Sequence, residues 1–137
     1  MKRIVVGMVC VFAACGAPKG PAKLPPDRKP RIECPPNPAI RPAATSGETM
    51  PGKLSKDDVS NAMTAVKARV TACSDTYSRE SALYVSCEVG ADGGVIWAEA
   101  TGKWAGTWTG YCVAKAVCGA VFPVSKTSMP LMYPYTL

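Results

Sequence analysis

Cysteine is the residue type with the most chemical potential in this 137-residue chain, which has seven cysteines and no histidine. The lack of histidine removes the commonest general base and metal ligand. No CxxC pair occurs, so the spacing of thioredoxin-like redox pairs and of zinc knuckles is missing. The residues therefore point to no metal site, no cofactor and no catalytic group, and we expect that the protein is not an enzyme.

Several cysteines could instead be structural, because disulfides persist in oxidising compartments. Cys73 and Cys112 fall on the apolar stripes of two predicted helices, so we expect a bridge between them, with two buried free thiols as the alternative. Cys34 and Cys118 could form a second bridge. Cys87 lies on the apolar face of a predicted strand, where a cysteine is commonly a small apolar filler. A redox protein that uses Cys87 or Cys118 is the competing interpretation.

Residues 1–14 have the features of a cleavable signal peptide. Lys2 and Arg3 precede an apolar run that is too short to span a bilayer. The run ends in Phe-Ala-Ala-Cys, which resembles a lipobox and implies cleavage before Cys15 and lipidation of its thiol. We expect an outer-membrane lipoprotein that faces the periplasm and contacts the membrane through this anchor. A plain secretory signal and an apolar start to a cytosolic protein are the alternatives.

A proline-rich segment follows over residues 15–52 and holds ten of the thirteen prolines. Proline fixes φ and lacks an amide donor, so we expect a disordered, extended tether. Residues 16–52 carry six basic and three acidic side chains, whereas residues 53–137 carry eight and seven. A nearly neutral folded part argues against nucleic-acid binding. The basic tether favours solubility, with contact to anionic head groups or wall polymer as an alternative.

A β-hairpin over residues 83–101 is the predicted centre of the folded domain, which covers residues 53–137. Every second residue from Leu83 to Val89 is apolar, as in a half-buried strand. Asp92-Gly93 is typical of two-residue hairpin turns, and such a turn places Val89 opposite Ile96. The hairpin then has one apolar face that other elements must cover.

Two helices are predicted to cover that face. Ser55 is expected to cap the first helix in a capping box with Asp58, and an apolar stripe continues from there to Cys73. The second helix is predicted over residues 107–121.

The last strand, over residues 129–137, contains Pro130 and Pro134 and so must lie at a sheet edge. The predicted fold class is α+β, a two-layer α-β-β-α-β domain with a three-stranded antiparallel sheet and both helices on one face.

The uncovered sheet face is the candidate interaction surface. We expect it to display Tyr84, Val95 and Trp97, with Glu88 and Glu99 beside them as solvated strand residues. Exposed clustered aromatics are commoner at interfaces than on ordinary surface. In the alternative, the tether folds back over this face and buries the rings.

The order of these motifs resembles the C-terminal domain of TonB-like energy-transducing proteins, in particular the AgmX/PglI type of gliding-motility-associated envelope proteins. The resemblance covers residues 54–137. Its matching positions are Cys73, Asp92, Gly93, Val95, Cys112, Phe122, Pro123, Tyr133 and Pro134. It implies a non-catalytic periplasmic interaction module whose partner is an unknown envelope protein or a second copy. TonB itself has a transmembrane anchor coupled to a motor, whereas this chain has a lipobox, so only fold and compartment carry over. A structural spacer between the outer membrane and the cell wall is the remaining alternative.

Overall fold

The computed structural model describes residues 20–40, 51–75 and 81–137. The predicted signal peptide and Cys15 lie outside these residues. Within the described ranges, no helix combines the length and the apolar character that a membrane crossing requires.

The fold is α+β, as predicted, with helices packed on one face of an antiparallel sheet. Within the described residues the sheet has four strands in the order β1-β3-β2-β4, rather than the three predicted. The strands are β1 (Ile32–Glu33), β2 (Ala82–Val89), β3 (Val95–Ala100) and β4 (Met129–Thr136), and the helices are α1 (Lys56–Ala65), α2 (Lys67–Thr71), α3 (Trp108–Val117) and a 3-10 helix at Gly102–Trp104.

The fourth strand comes from the proline-rich segment, and this corrects the expectation of a disordered tether there. Residues 20–40, which we call the strap, pack along the domain, with Ile32 opposite Ala98. The amide of Leu24 donates to the Gly106 carbonyl at 2.8 Å. The strap can form a strand because four consecutive non-proline residues, 31–34, separate Pro30 from Pro35 and retain their amide donors.

The first helix starts as predicted but is interrupted. The Ser55 hydroxyl accepts from the Asp58 amide at 3.1 Å, and the Ser55 amide donates to the Asp58 carboxylate at 2.9 Å, which completes a capping box. The Ser55 hydroxyl also donates to the Asp58 carboxylate at 2.7 Å, and this bond, together with the one from the Ser55 amide, favours the charged carboxylate and lowers the pKa of Asp58. Val66 adopts φ −96° and ψ 0°, so the predicted single helix is two helices, α1 and α2. Near this break the buried Tyr135 hydroxyl donates to the Met63 carbonyl at 3.0 Å.

The hairpin forms, but its turn differs from the predicted Asp92-Gly93 two-residue turn. A five-residue loop, 90–94, joins the strands, and the Gly90 amide donates to the Gly94 carbonyl at 2.7 Å. Gly93 has φ +88°, and a Cβ there would lie 2.0 Å from the Phe122 carbonyl oxygen, so only glycine fits. The longer loop is accompanied by a register shift at residues 88–89, which places Val89 opposite Val95 instead of Ile96.

The core lies between the sheet and the helices. Leu83, Val85 and Cys87 of β2 are completely buried, as their alternation predicts. Trp104 of the 3-10 helix is also buried, and its indole donates to the Ala82 carbonyl at 3.3 Å. Among the described strands, β4 pairs only with β2 and therefore forms a sheet edge, the position that its two prolines require.

Candidate functional site

The sheet face opposite the helices is the candidate interaction surface, and we call it the open face. Its position follows from alternation, because the neighbouring residues of β2, β3 and β4 point into the core. The residues that define it are Tyr84, Glu88, Trp97, Glu99, Met132 and Pro134.

A polar cluster around Trp97 forms the half of the open face that lies nearer the strap. The indole nitrogen of Trp97 donates to the Glu88 carboxylate at 2.9 Å across the paired strands. The Arg31 guanidinium lies over the Trp97 ring, 4.0 Å from its centroid, and forms an ion pair with Glu99 at 3.3 Å. Both carboxylates are therefore partnered rather than only solvated, and the strap shields part of the indole. This is a partial form of the alternative in which the tether covers the rings.

An apolar area forms the other half of the open face. Tyr84 is 48% exposed and Met132 is 64% exposed, and these are the two largest exposed apolar side chains of β2 and β4. Tyr84 lies opposite Pro134, and Ser86 lies opposite Met132, so the two exposed side chains sit near each other across the same strand pair. The predicted set of interaction residues omitted Met132, although its alternation with Leu131 and Tyr133 indicated this exposure.

Val95 was predicted to lie on this surface, and that prediction is wrong. Val95 is 6% exposed and belongs to the core, whereas its neighbour Ile96 is 44% exposed. The register shift next to the five-residue loop exchanges the positions of these two residues relative to the predicted two-residue turn. Tyr84, Trp97, Glu88 and Glu99 do share the open face, but the contacts around Trp97 make the strap part of it.

Two disulfides staple the described part of the fold. Cys73 is bonded to Cys112, with Cα atoms 5.7 Å apart, and Cys34 is bonded to Cys118, with Cα atoms 5.3 Å apart. These are the expected pair and the possible second pair. Cys112 lies on the exposed side of α3 and Cys73 is half-buried, so the first bridge closes the rim of the α2–α3 contact rather than the core. The second bridge fixes the strap next to the end of α3.

Cys87 is the free cysteine of the described residues, and its thiol is completely buried. Desolvation raises the pKa of Cys87 to about 12. A thiol of this kind holds its proton at neutral pH and lacks the thiolate that redox exchange requires. Cys118, the other cysteine named in the redox alternative, is engaged in the bridge to Cys34.

A cleft of about 410 Å³ lies between the strap and the helices, a feature that the sequence analysis did not predict. Pro35, Pro36 and Pro38 of the strap contribute apolar side chains to its lining, while α2 and α3 contribute Arg69 and Lys115. The cleft exists because the strap folds back along the domain. The sequence allowed such a fold-back only as an alternative, over the open face or through a bridge from Cys34 to Cys118, and it did not indicate a cleft. Among the described residues, no group of three or more His, Cys, Asp or Glu side chains could hold a metal ion.

Comparisons with known proteins provide no relatives. No family model matches the chain, and neither the curated proteins nor the solved structures include a significant match.

Proposed function

We propose that this protein is a lipid-anchored module for protein–protein interaction in the bacterial cell envelope, and that it binds a partner protein through the open face. The observation that carries the proposal is the exposed apolar area of Tyr84 and Met132 on a sheet face that no helix of the described residues covers. Large apolar side chains that lie together on a surface mark interaction sites more often than single exposed ones.

The composition of the open face suits a protein partner. Tyrosine and methionine are enriched in the cores of interfaces, and polar groups are typical of the surrounding rim. Here the cluster of Trp97, Glu88, Arg31 and Glu99 borders the apolar area and is internally hydrogen-bonded or ion-paired. A partner would therefore bury the apolar area without leaving these charges unpaired, which lowers the desolvation penalty.

The compartment in the proposal is supported by two observations. The two disulfides fit an oxidising environment. The N-terminal apolar run that ends in Ala-Ala-Cys resembles a lipoprotein signal, with Cys15 as the lipidated residue and the outer membrane as the expected site. The resemblance of residues 54–137 to TonB-like C-terminal domains is consistent with a periplasmic interaction role, and energy transduction is not part of the proposal.

The test is quantitative capture of partners from cross-linked cell envelopes. The double variant Tyr84→Thr/Met132→Thr removes the apolar area and retains strand propensity. Val121→Thr is the matched control, since Val121 is 42% exposed and lies next to α1 residues in a different cleft, away from the open face. We expect the double variant to lose a specific captured protein that wild type and the control retain. If all three chains capture the same proteins in equal amounts, the open face is not the interaction surface.

A further inference from the structure

The cleft between the strap and α3 has cross-linked walls and a positively charged lining. The bridge from Cys34 to Cys118 joins its two walls, because Pro35 follows one cysteine and Gly119 follows the other. The Asn37 amide donates to the Gly119 carbonyl at 3.4 Å and braces the same two walls. A cross-linked and hydrogen-bonded frame fixes the shape of the cleft before any ligand arrives, which lowers the entropic cost of binding.

Two positive side chains face this cleft without an acidic neighbour among its lining residues. Arg69 comes from α2 and Lys115 from the last turn of α3, and no carboxylate lines the cleft within the described ranges. Gly119 leaves room for Arg69, because a Cβ at this position would lie 2.7 Å from the Arg69 guanidinium. The site is therefore complementary to a negative charge.

The other lining residues favour an apolar ligand group over a sugar. Prolines of the strap and Ile32 contribute apolar surface, and Tyr111 adds an aromatic ring. The Asn37 side chain is already used, since its oxygen accepts from the Ala39 amide at 3.0 Å and its nitrogen donates to Gly119. A sugar would find few free neutral hydrogen-bonding groups, whereas an apolar side chain would be well accommodated.

We propose that this cleft binds the free C-terminus of a polypeptide whose last side chain is apolar. Arg69 and Lys115 would bind the terminal carboxylate, and the proline-lined wall would take the side chain. Its volume of about 410 Å³ is within the range of small-ligand sites. Capture of a chain terminus is an established way to recognise a partner. The bound C-terminus would belong to the partner protein of the proposed function. Only this identification of the peptide rests on that function.

The test is a titration of the oxidised protein, followed by ¹H–¹⁵N NMR spectra, with N-acetyl-Ala-Leu as the free acid and as the C-terminal amide. We expect the free acid to shift the backbone amide signals of Ala39, Tyr111 and Gly119. The C-terminal amide peptide should bind at least about tenfold more weakly, because it loses the charge-assisted hydrogen bonds of the carboxylate. Equal binding of acid and amide, or no shift with the free acid, would overturn the proposal. The same shifts with inorganic phosphate at the same concentration would also overturn it, because the site would then recognise negative charge and not a peptide.

The matched variants are Arg69→Gln and Lys115→Gln, with Lys67→Gln on the exposed side of α2 as the control. Both cations also lie near the C-terminal end of α3, where positive charge is stabilising in its own right. A purely structural role would lower the free energy of unfolding and leave peptide binding intact. We expect each cleft variant to weaken binding of the free acid several-fold in a folded protein and the control to leave it unchanged. The peptide result bears on the cleft alone, whereas the Tyr84 and Met132 variants test the open face, so the two proposals can fail separately.

Discussion

Removal of the bridge between Cys34 and Cys118 tests how firmly the strap belongs to the domain. The bridge closes a sequence separation of 84 residues, but the Cys73–Cys112 bridge shortens the covalent path. That path runs over 39 residues from Cys34 to Cys73 and over six more from Cys112 to Cys118. The loop-entropy relation for a closed loop of about 45 residues gives an upper limit of about 4 kcal/mol for the contribution of the bridge.

The variant for this test is Cys34→Ser/Cys118→Ala. The control is Cys87→Ala, which removes a buried cysteine that forms no disulfide. Urea unfolding should show a loss of about 2–4 kcal/mol for the double variant. Hydrogen exchange should show lost protection at the Leu24 and Trp108 amides, which bond between the strap and the domain. If the double variant loses no more free energy of unfolding than Cys87→Ala, and both amides stay protected, the strap is held by other contacts and the reasoning is refuted.

Three further predictions address the anchor, the hairpin register and the buried ionisable groups. Cys15→Ser should move the protein from the membrane fraction to the soluble periplasm, and unchanged membrane association would contradict the lipobox interpretation. Val95→Asp buries an unpaired charge and should cost more than about 3 kcal/mol in urea unfolding, whereas the neighbouring Ile96→Asp should cost about 1 kcal/mol or less; equal losses would contradict the observed register. Burial raises the pKa of Cys87 from 9.0 to about 12 and also raises the pKa of Tyr135. Unfolding should therefore become easier as pH rises from about 9 towards 12, since the unfolded chain loses these protons first, and Cys87→Ala should make that decline shallower; a pH-independent unfolding free energy would contradict the burial of both groups.

The elements that local rules control could be predicted from the sequence. The capping box of Ser55 and Asp58 depends on a short-range pattern of side chains, and the burial of β2 follows from strict alternation. The edge position of β4 follows from proline chemistry. Each of these features is determined by residues that are close together in the sequence.

The features that the sequence did not reveal depend on contacts between distant residues. The five-residue hairpin loop is hydrogen-bonded to the segment after α3, through the Phe122 amide to the Gly93 carbonyl and the Ser125 amide to the Ala91 carbonyl. The register shift beside this loop decides which of Val95 and Ile96 is buried. The strap strand depends on pairing with β3 and on a disulfide that spans 84 residues, and no local periodicity marks a two-residue strand between prolines. The cleft was missed for the same reason, because its walls meet only after the strap has folded back.

The limits of local sequence patterns also explain why only part of the open face was predicted correctly. Alternation placed Tyr84, Glu88, Trp97 and Glu99 together on one side of the hairpin. It could not show that Arg31 of the strap would stack on Trp97, because that contact joins two segments 66 residues apart in the sequence. The apolar area that remains exposed is consequently centred on β2 and β4 rather than on β3.

Site-specific photo-cross-linking in living cells tests the central claim most directly. A photoactivatable amino acid at position 132 lies on the open face, and the same group at position 126 is an exposed control in the turn before β4. If the open face binds one protein, position 132 should give a discrete cross-linked product that position 126 does not give and that Tyr84→Thr weakens. If positions 132 and 126 give the same products in equal yield, the open face binds no specific partner and the account is wrong.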